Sequence, residues 1–122
     1  MPRNRASAKQ AGAAFERLIA DHLAEVLDDR IDRRVKTGAA DKGDIGGIRF
    51  HGHRLVAELK DYAGRVEVTK WIKEAQTEAS NDGALLGFVV AKRRGVTDPT
   101  EQTVIMTLGD LVKLLTAHEE AS

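Results

Sequence analysis

Hydrophobic residues recur with helical spacing in two long segments of the chain. From Ala8 to about Asp29 they form one apolar stripe, made of Phe15, Leu18, Ile19, Leu23, Val26 and Leu27. The second stripe consists of Val68, Trp71, Ile72, Ala75 and Ala79, and it is followed by Asn81-Asp82-Gly83, residues that tolerate positive φ. The spacing predicts two amphipathic helices, the second ending near Gly83.

Shorter apolar segments between these helices and after them predict strands. The first runs from about Ile31 to Lys36, and the run from Ala84 to Ala91 predicts a central strand covered on both faces. Thr103 to Thr107 predicts a further strand, and Thr107 with Asp110 resembles the start of a last helix. With the hairpin described below, the predicted order is αβββαβ, then βα. This order indicates an α/β fold.

Length and composition bound the domain organisation. The 122 residues suffice for one domain, expected at 8–117, with a flexible basic tail at 1–7 and a short tail at 118–122. No apolar run approaches the roughly 20 residues that span a bilayer, and the N-terminus lacks an apolar signal core. A soluble, cytoplasmic protein is therefore expected. The chain has no cysteine, so any metal must be bound by oxygen or imidazole.

An acid, a second acid and a lysine follow one another on two neighbouring short segments. Gly43-Asp44-Ile45-Gly46-Gly47-Ile48 precedes a turn at Gly52, and Val56-Ala57-Glu58-Leu59-Lys60 follows it. If the hairpin turns about Gly52, Asp44 opposes Lys60, Gly46 opposes Glu58 and Ile48 opposes Val56, so that the charged side chains share one face. Gly46 would then leave room for a hydrated ion beside Glu58. Ile45, Leu55, Ala57 and Leu59 would face the core, and a slip of one residue would separate the charged groups.

Charge is balanced over the whole chain but unevenly distributed. The sequence has 19 basic and 19 acidic residues, so net charge gives no argument for nucleic-acid binding. Basic residues nevertheless cluster at Arg3, Arg5 and Lys9, at Arg30, Arg33, Arg34 and Lys36, and at Lys92, Arg93 and Arg94. Such clusters can steer a phosphate backbone to one side of a neutral protein, although solvated surface charge explains any single cluster equally well.

The ordered set of motifs resembles the PD-(D/E)XK nuclease superfamily. The set comprises a helix with Glu16, a strand, Gly43-Asp44-Ile45, a hairpin, Glu58-Leu59-Lys60 and an amphipathic helix. Within that superfamily, the segments Arg33–Gly47 and Phe88–Thr97 and the Trp71 helix resemble the small Holliday junction resolvases of actinobacteria and their phages, relatives of the archaeal resolvases. The resemblance covers roughly residues 9 to 115. Gly43 stands where the superfamily pattern has proline.

The resemblance implies a fold and a set of site residues. The fold would be a restriction-endonuclease-like αβββαβ core, with a central mixed sheet flanked by helices and an additional C-terminal strand and helix. Asp44, Glu58 and the carbonyl of Leu59 would bind Mg²⁺, with Mn²⁺ as a substitute, and Glu16 would complete the site from the first helix. Lys60 would orient or help to deprotonate the attacking water. The products would carry 5′-phosphate and 3′-hydroxyl ends.

Further residues are candidates for DNA contact, each with a structural alternative. The candidates are Arg17, Arg33, Arg34, Lys36, Thr37, Gln76, Lys92, Arg93 and Arg94. Adjacent arginines on a strand point to opposite faces, so Arg33 and Arg34 cannot both line one groove. His51 and His53 suggest a zinc site, but beside Gly52 in a turn they are expected to be exposed.

The expected partner is branched DNA, the four-way junction, and the expected assembly is a homodimer, since its two-fold axis would present two active sites to opposed strands. The Trp71 helix and the last strand and helix are the candidate interfaces, and Trp71 is equally expected in the core. Two other functions stay open. One is a nuclease of the same fold that cuts flaps, nicks or duplex, and the other is a DNA-binding module without catalysis.

Overall fold

The computed structural model describes residues 4–34 and 41–118. Within these residues, three α-helices and five strands follow one another in the order α1 (Arg5–Val26), β1 (Asp32–Arg33), β2 (Ile45–Phe50), β3 (His53–Lys60), α2 (Val68–Asp82), β4 (Leu86–Ala91), β5 (Thr103–Ile105) and α3 (Leu108–Thr116). A short 3-10 helix at Pro99–Glu101 precedes β5. The predicted order of elements, αβββαβ followed by βα, is confirmed, and the chain is an α/β protein.

Most element ends follow from local chemistry. The side chain of Asn4 accepts a hydrogen bond from the Ser7 amide at 2.8 Å and so caps α1. The helix therefore begins at Arg5, and the prediction that residues up to 7 form a flexible tail is wrong for residues 5–7. Gly83 ends α2 with φ of 64°, as predicted. Thr107 caps α3 by accepting from the Asp110 amide at 3.0 Å, also as predicted.

The five strands form one mixed sheet in the order β1-β2-β3-β4-β5. Only β3 and β4 are parallel; the other neighbours are antiparallel. Since β4 lies between β3 and β5, the prediction of a central strand at 84–91 is confirmed for 86–91. Of the strand predicted at 31–36, Asp32 and Arg33 form β1, Ile31 and Arg34 lie outside it, and residues 35 and 36 are outside the described residues.

The sheet has a hydrophobic layer on each face. Phe15, Ile19 and Ala20 of α1 pack on one face, and Leu114 of α3 adds to that layer. The strands contribute Ile45, Ile48, Leu55, Ala57, Leu59, Leu86 and Val90 to it. Trp71 and Ala75 of α2 pack on the opposite face, against Val89 and Ala91. The charged residues of β3 point toward α2, because Glu58 and Lys60 alternate with Ala57 and Leu59.

A glycine allows α2 to lie close to the sheet. A Cβ atom on Gly87 of β4 would lie 2.2 Å from the carbonyl oxygen of Ala75, which is backbone and cannot move aside. The absence of a side chain at Gly87 therefore sets the distance between α2 and β4, and with it the position of every α2 side chain that faces β3.

Within residues 4–34 and 41–118, none of the helices is both long enough and apolar enough to cross a membrane.

Candidate active site

The β2–β3 hairpin has a different register from the predicted one. His51 and Gly52 form its turn, both with positive φ, 51° and 80°, as a tight two-residue turn requires. Phe50 therefore pairs with His53, and Ile48 pairs with Leu55, not with Val56. The predicted pairs Asp44 with Lys60 and Gly46 with Glu58 are wrong, because the sequence pattern did not define the length of the turn.

A β-bulge at Gly46 and Gly47 brings the two acids together again. Ile45 pairs with Ala57, so three residue steps along β2, from Ile45 to Ile48, match only two along β3. Without the extra residue, Asp44 would lie opposite Leu59 and face the α1 layer. Gly47 has φ of 88°, and a Cβ there would lie 2.7 Å from the carbonyl oxygen of Arg30. Glycine at this position thus permits the bulge that turns Asp44 toward Glu58.

Asp44 is fixed by the backbone of β3. Its amide donates to the carbonyl oxygen of Ala57 at 3.0 Å, and its Oδ2 accepts from the Leu59 amide at 2.8 Å. Asp44 is 2 % exposed and Glu58 is 7 % exposed. Two carboxyl groups are consequently held side by side beneath the surface, and a hydrogen bond between them contributes to the raised pKa of Glu58.

Lys60 lies on the same face as the two acids and is held by three neighbours. Its Nζ atom lies 3.6 Å from Oε2 of Glu58 and donates to Oε2 of Glu74 on α2. The same atom lies 5.9 Å from the ring centroid of Trp71, within reach of a cation–π interaction. Burial alone would lower the pKa of Lys60, but the hydrogen bond with Glu74 and the charge of Glu58 raise it above its usual value. Lys60 therefore carries a positive charge at neutral pH.

The space above Gly46 is filled by a side chain, contrary to the prediction of room for a hydrated ion there. A Cβ on Gly46 would lie 2.2 Å from Nε of Arg34. The guanidinium of Arg34 crosses this glycine and reaches the Lys42 carbonyl oxygen and, at 3.1 Å, the carboxylate of Asp82 at the end of α2. Arg34 thus ties the end of β1 to α2.

Glu16 is buried on α1, as its place beside the apolar stripe predicted, with 8 % exposure. Its Oε1 atom accepts from Arg33 at 3.2 Å, and this ion pair links α1 to β1. Helix α1 packs on the face of the sheet opposite to α2. The participation of Glu16 in a metal site stays a prediction.

Several residues predicted to contact DNA form contacts within the protein. Arg17 bonds to Asp21 and Asp32, and Gln76 donates to Asp110 of α3 at 3.3 Å. Arg94 donates to the carbonyl oxygen of Gly64.

Two further basic candidates follow β4. Arg93 bonds to Glu101 and is exposed, and the amide of Lys92 donates to the carbonyl oxygen of Lys60 at 2.9 Å. The start of the Lys92–Arg94 loop is therefore next to the candidate site. Lys36 and Thr37 lie outside the described residues.

Sequence reasoning missed two acids of α2 that belong to this cluster. Glu74 bonds to Lys60, and Glu78 is 7 % exposed and hydrogen-bonds to Glu58. Together with Asp41, Lys70, Lys73, Thr77 and Asn81, the side chains of Glu58, Glu74 and Glu78 line a cleft of about 520 Å³. A signal was available, because Glu78 follows Trp71 by seven residues and Ala75 by three, the spacing that indicated burial of Glu16.

The carboxyl groups of Glu58 and Glu78 keep their protons at pH values well above those at which glutamate usually ionises. Burial, followed by the hydrogen bond and the negative charge of Asp44, raises the pKa of Glu58 to about 10. Burial also raises the pKa of Glu78 to about 7, and the charges of Asp41 and Asp44 add to this effect. Without a cation, the acids therefore share protons at neutral pH.

The donor set of this cleft suits a hard divalent cation. Mg²⁺ prefers carboxylate and carbonyl oxygens and keeps several waters, so two acids and a carbonyl suffice as protein ligands. Among the residues described, no three Asp, Glu or His side chains surround a common point that could hold a metal. The acids hydrogen-bond to one another instead, yet Oε2 of Glu78 is buried with no hydrogen-bond partner among the described residues. A buried acceptor left in this state is what a cation would satisfy, and the binding of Mg²⁺ by Asp44, Glu58 and the Leu59 carbonyl stays a prediction.

The two histidines that flank Gly52 differ in exposure. His51 is exposed, as predicted, whereas His53, the first residue of β3, is half-buried, and its Nε2 lies 2.8 Å from the carbonyl oxygen of His118.

Comparison of this chain with protein-family models, curated proteins and solved structures found no match.

Proposed function

We propose that this chain is a Mg²⁺-dependent DNA endonuclease with the restriction-endonuclease-like αβββαβ core of the PD-(D/E)XK superfamily. The observation that carries the proposal is the placement of Asp44, Glu58 and Lys60 on one face of the β2–β3 hairpin, next to a cleft open to solvent. Two acids and a lysine in this arrangement suit hydrolysis of a phosphodiester by a metal-activated water.

The side chains of the cleft have separate roles in this proposal. Asp44, Glu58 and the carbonyl of Leu59 hold the cation, which polarises the scissile phosphate and acidifies the attacking water. Lys60 carries a positive charge beside Glu58 and offsets the negative charge that develops on the phosphate. Glu74 and Trp71 restrict the position of the Lys60 ammonium, so little reorientation is needed during the reaction.

The substrate we propose is the four-way DNA junction, cut by paired nicks that leave 5′-phosphate and 3′-hydroxyl ends. This choice rests on the resemblance of residues 9 to 115 to the small resolvases, and a cytoplasmic location would accompany it. The two cuts call for a homodimer. Trp71 is 4 % exposed in the monomer and has little surface left for an interface, whereas β5 and α3 expose Val104, Leu108, Leu111, Val112 and Leu115. These exposed apolar residues favour the last strand and helix as the interface.

The test uses a labelled immobile four-way junction and a linear duplex of the same arm sequence, each with Mg²⁺ and with chelator. Paired Mg²⁺-dependent nicks at the junction alone are expected. The Asp44→Asn variant should bind the junction but not cut it, whereas Asp29→Asn, at an exposed position of no proposed role, should cut like the wild type. Equal cleavage by Asp44→Asn and wild type would refute the site.

The same assay separates the two other functions. Cleavage of junction and duplex alike would indicate a nuclease of broader substrate range. Tight junction binding by wild type with no cleavage under any metal condition would indicate a binding module that lacks catalysis.

A further inference from the structure

Glu78 is a buried acid that the proposed reaction does not yet use. It lies on the face of α2 that is turned toward β3, hydrogen-bonds to Glu58 and lines the same cleft. The residue is 7 % exposed, and its Oε2 atom has no hydrogen-bond partner among residues 4–34 and 41–118. Its side chain is therefore buried, aimed into the cleft and incompletely satisfied.

Packing of the fold gives no reason for an acid at this position. Helix α2 is held to the sheet by Trp71, Ala75 and Ala79. In the described part of the chain, no arginine or lysine forms an ion pair with Glu78, since Lys60 pairs with Glu58 and Glu74. A buried carboxyl oxygen that accepts no hydrogen bond has lost its water without a replacement, which destabilises the fold. A residue of this kind indicates a partner that binds later.

We propose that Glu78 supplies a third carboxylate to the divalent cation centre of Asp44 and Glu58. This inference rests on the proposed function, because it assumes that the cleft binds the cation at all. Asp44 directly precedes β2, Glu58 lies on β3 and Glu78 on α2, and Asp44 and Glu78 both hydrogen-bond to Glu58. A doubly charged cation would replace the shared protons and give each carboxylate a positive partner.

The charge of Glu78 would attract a cation even if Glu78 were only a neighbour, so a ligand and a neighbour differ in geometry. Replacement by Gln removes the charge and weakens Mg²⁺ binding in either role. Replacement by Asp keeps the charge but withdraws the carboxylate by one methylene. Loss of affinity in Glu78→Asp as well as in Glu78→Gln therefore identifies a ligand, whereas wild-type affinity in Glu78→Asp identifies a neighbouring charge.

The experiment is calorimetric titration of the DNA-free protein with Mg²⁺, repeated with Mn²⁺, at pH 7.5. Glu78→Gln is compared with wild type, with Asp44→Asn and with Glu25→Gln, a control at an exposed position on α1. We expect affinity at least tenfold weaker for Glu78→Gln and unchanged for Glu25→Gln. Unchanged or tighter binding by Glu78→Gln, while Asp44→Asn abolishes binding, overturns this inference and leaves the proposed function intact.

Two further outcomes complete the test. Absence of cation binding by wild type, or wild-type affinity in Asp44→Asn, overturns the proposed function and with it this inference. Glu78→Asp is titrated in parallel, with circular dichroism to show that both variants fold. Binding by Glu78→Asp at least threefold weaker than wild type is expected, and wild-type affinity overturns the inference.

Discussion

Replacement of Glu58 by glutamine should stabilise the metal-free protein, and by more at high pH. In the folded chain the pKa of Glu58 is raised from 4.5 to about 10 by burial and by Asp44. Between these two values, the folded state holds a proton that the unfolded state has released. Stability therefore falls as pH rises through this window. Glutamine resembles the protonated acid in shape and can donate a similar hydrogen bond, but it has no proton to release.

The size of the effect follows from the same window. One unit of pKa corresponds to about 1.4 kcal/mol, so the three pH units from about 5 to 8 give an upper limit of roughly 4 kcal/mol. Because Glu58 shares protons with Asp44 and Glu78, replacement of Glu58 alone changes the free energy of unfolding by only part of this upper limit. We expect the free energy of unfolding of Glu58→Gln, relative to wild type, to increase by at least about 1 kcal/mol from pH 5 to pH 8, or roughly 4 °C in Tm.

The assay is thermal and urea unfolding in EDTA at pH 5, 6, 7 and 8, followed by circular dichroism. Glu25→Gln on the surface of α1 is the matched control, and its difference from wild type should not change with pH. Addition of Mg²⁺ at pH 8 should raise the Tm of wild type more than that of Glu58→Gln, because the cation takes the place of the shared protons. A difference between Glu58→Gln and wild type that stays constant from pH 5 to pH 8 would refute the reasoning.

Three further predictions concern the framework of the site. Gly87→Ala should destabilise the fold by roughly 3 kcal/mol or more in urea unfolding, since the added Cβ meets the Ala75 backbone. The control Gly12→Ala in α1, where nothing lies within 4 Å of the added Cβ, should stabilise the fold by about 0.5 to 1 kcal/mol. Equal effects of the two changes would contradict this account of α2 packing. Gly46→Ala should displace the Arg34 side chain and lower the free energy of unfolding by about 1 kcal/mol. In an Arg34→Ala background, Gly46→Ala should no longer lower stability, and a loss of stability that persists there would point to another cause. Lys60→Ala should reduce single-turnover junction cleavage by roughly 100-fold or more while its Tm stays within a few degrees of wild type, and unfolding of this variant would instead indicate a structural role.

Local patterns in the sequence determined much of the fold. The apolar stripes of α1 and α2 predict helices and the almost wholly apolar β4 predicts a strand, because periodicity and length are properties of a short segment. Gly83 and Thr107 likewise cap helices through neighbouring backbone groups, so the end of α2 and the start of α3 were predictable. The face shared by Ile45, Leu55, Ala57 and Leu59 was also predicted, and these four residues lie in one core layer.

The tertiary structure alone decided the register of the hairpin. The tight turn at His51 and Gly52 moves the pairing by one residue, and the bulge at Gly46 and Gly47 then returns Asp44 to the face of Glu58. Ile45 and Ile48 lie three residues apart and are both buried in one layer, which a regular strand does not allow. That spacing, with two glycines between, was the available signal, but only packing on α1 shows which register the chain adopts.

Contacts between elements distant in the chain were likewise beyond the sequence. Arg34 reaches Asp82 across 48 positions, Gln76 reaches Asp110 across 34, and Arg33 reaches Glu16 across 17. A local pattern shows that a residue is charged and which side of its helix or strand it occupies, but the partner depends on how the layers pack. For this reason the sequence by itself determined the element types and the candidates Asp44, Glu58 and Lys60, and only the tertiary structure added Glu74 and Glu78 and assigned Arg34 to the framework.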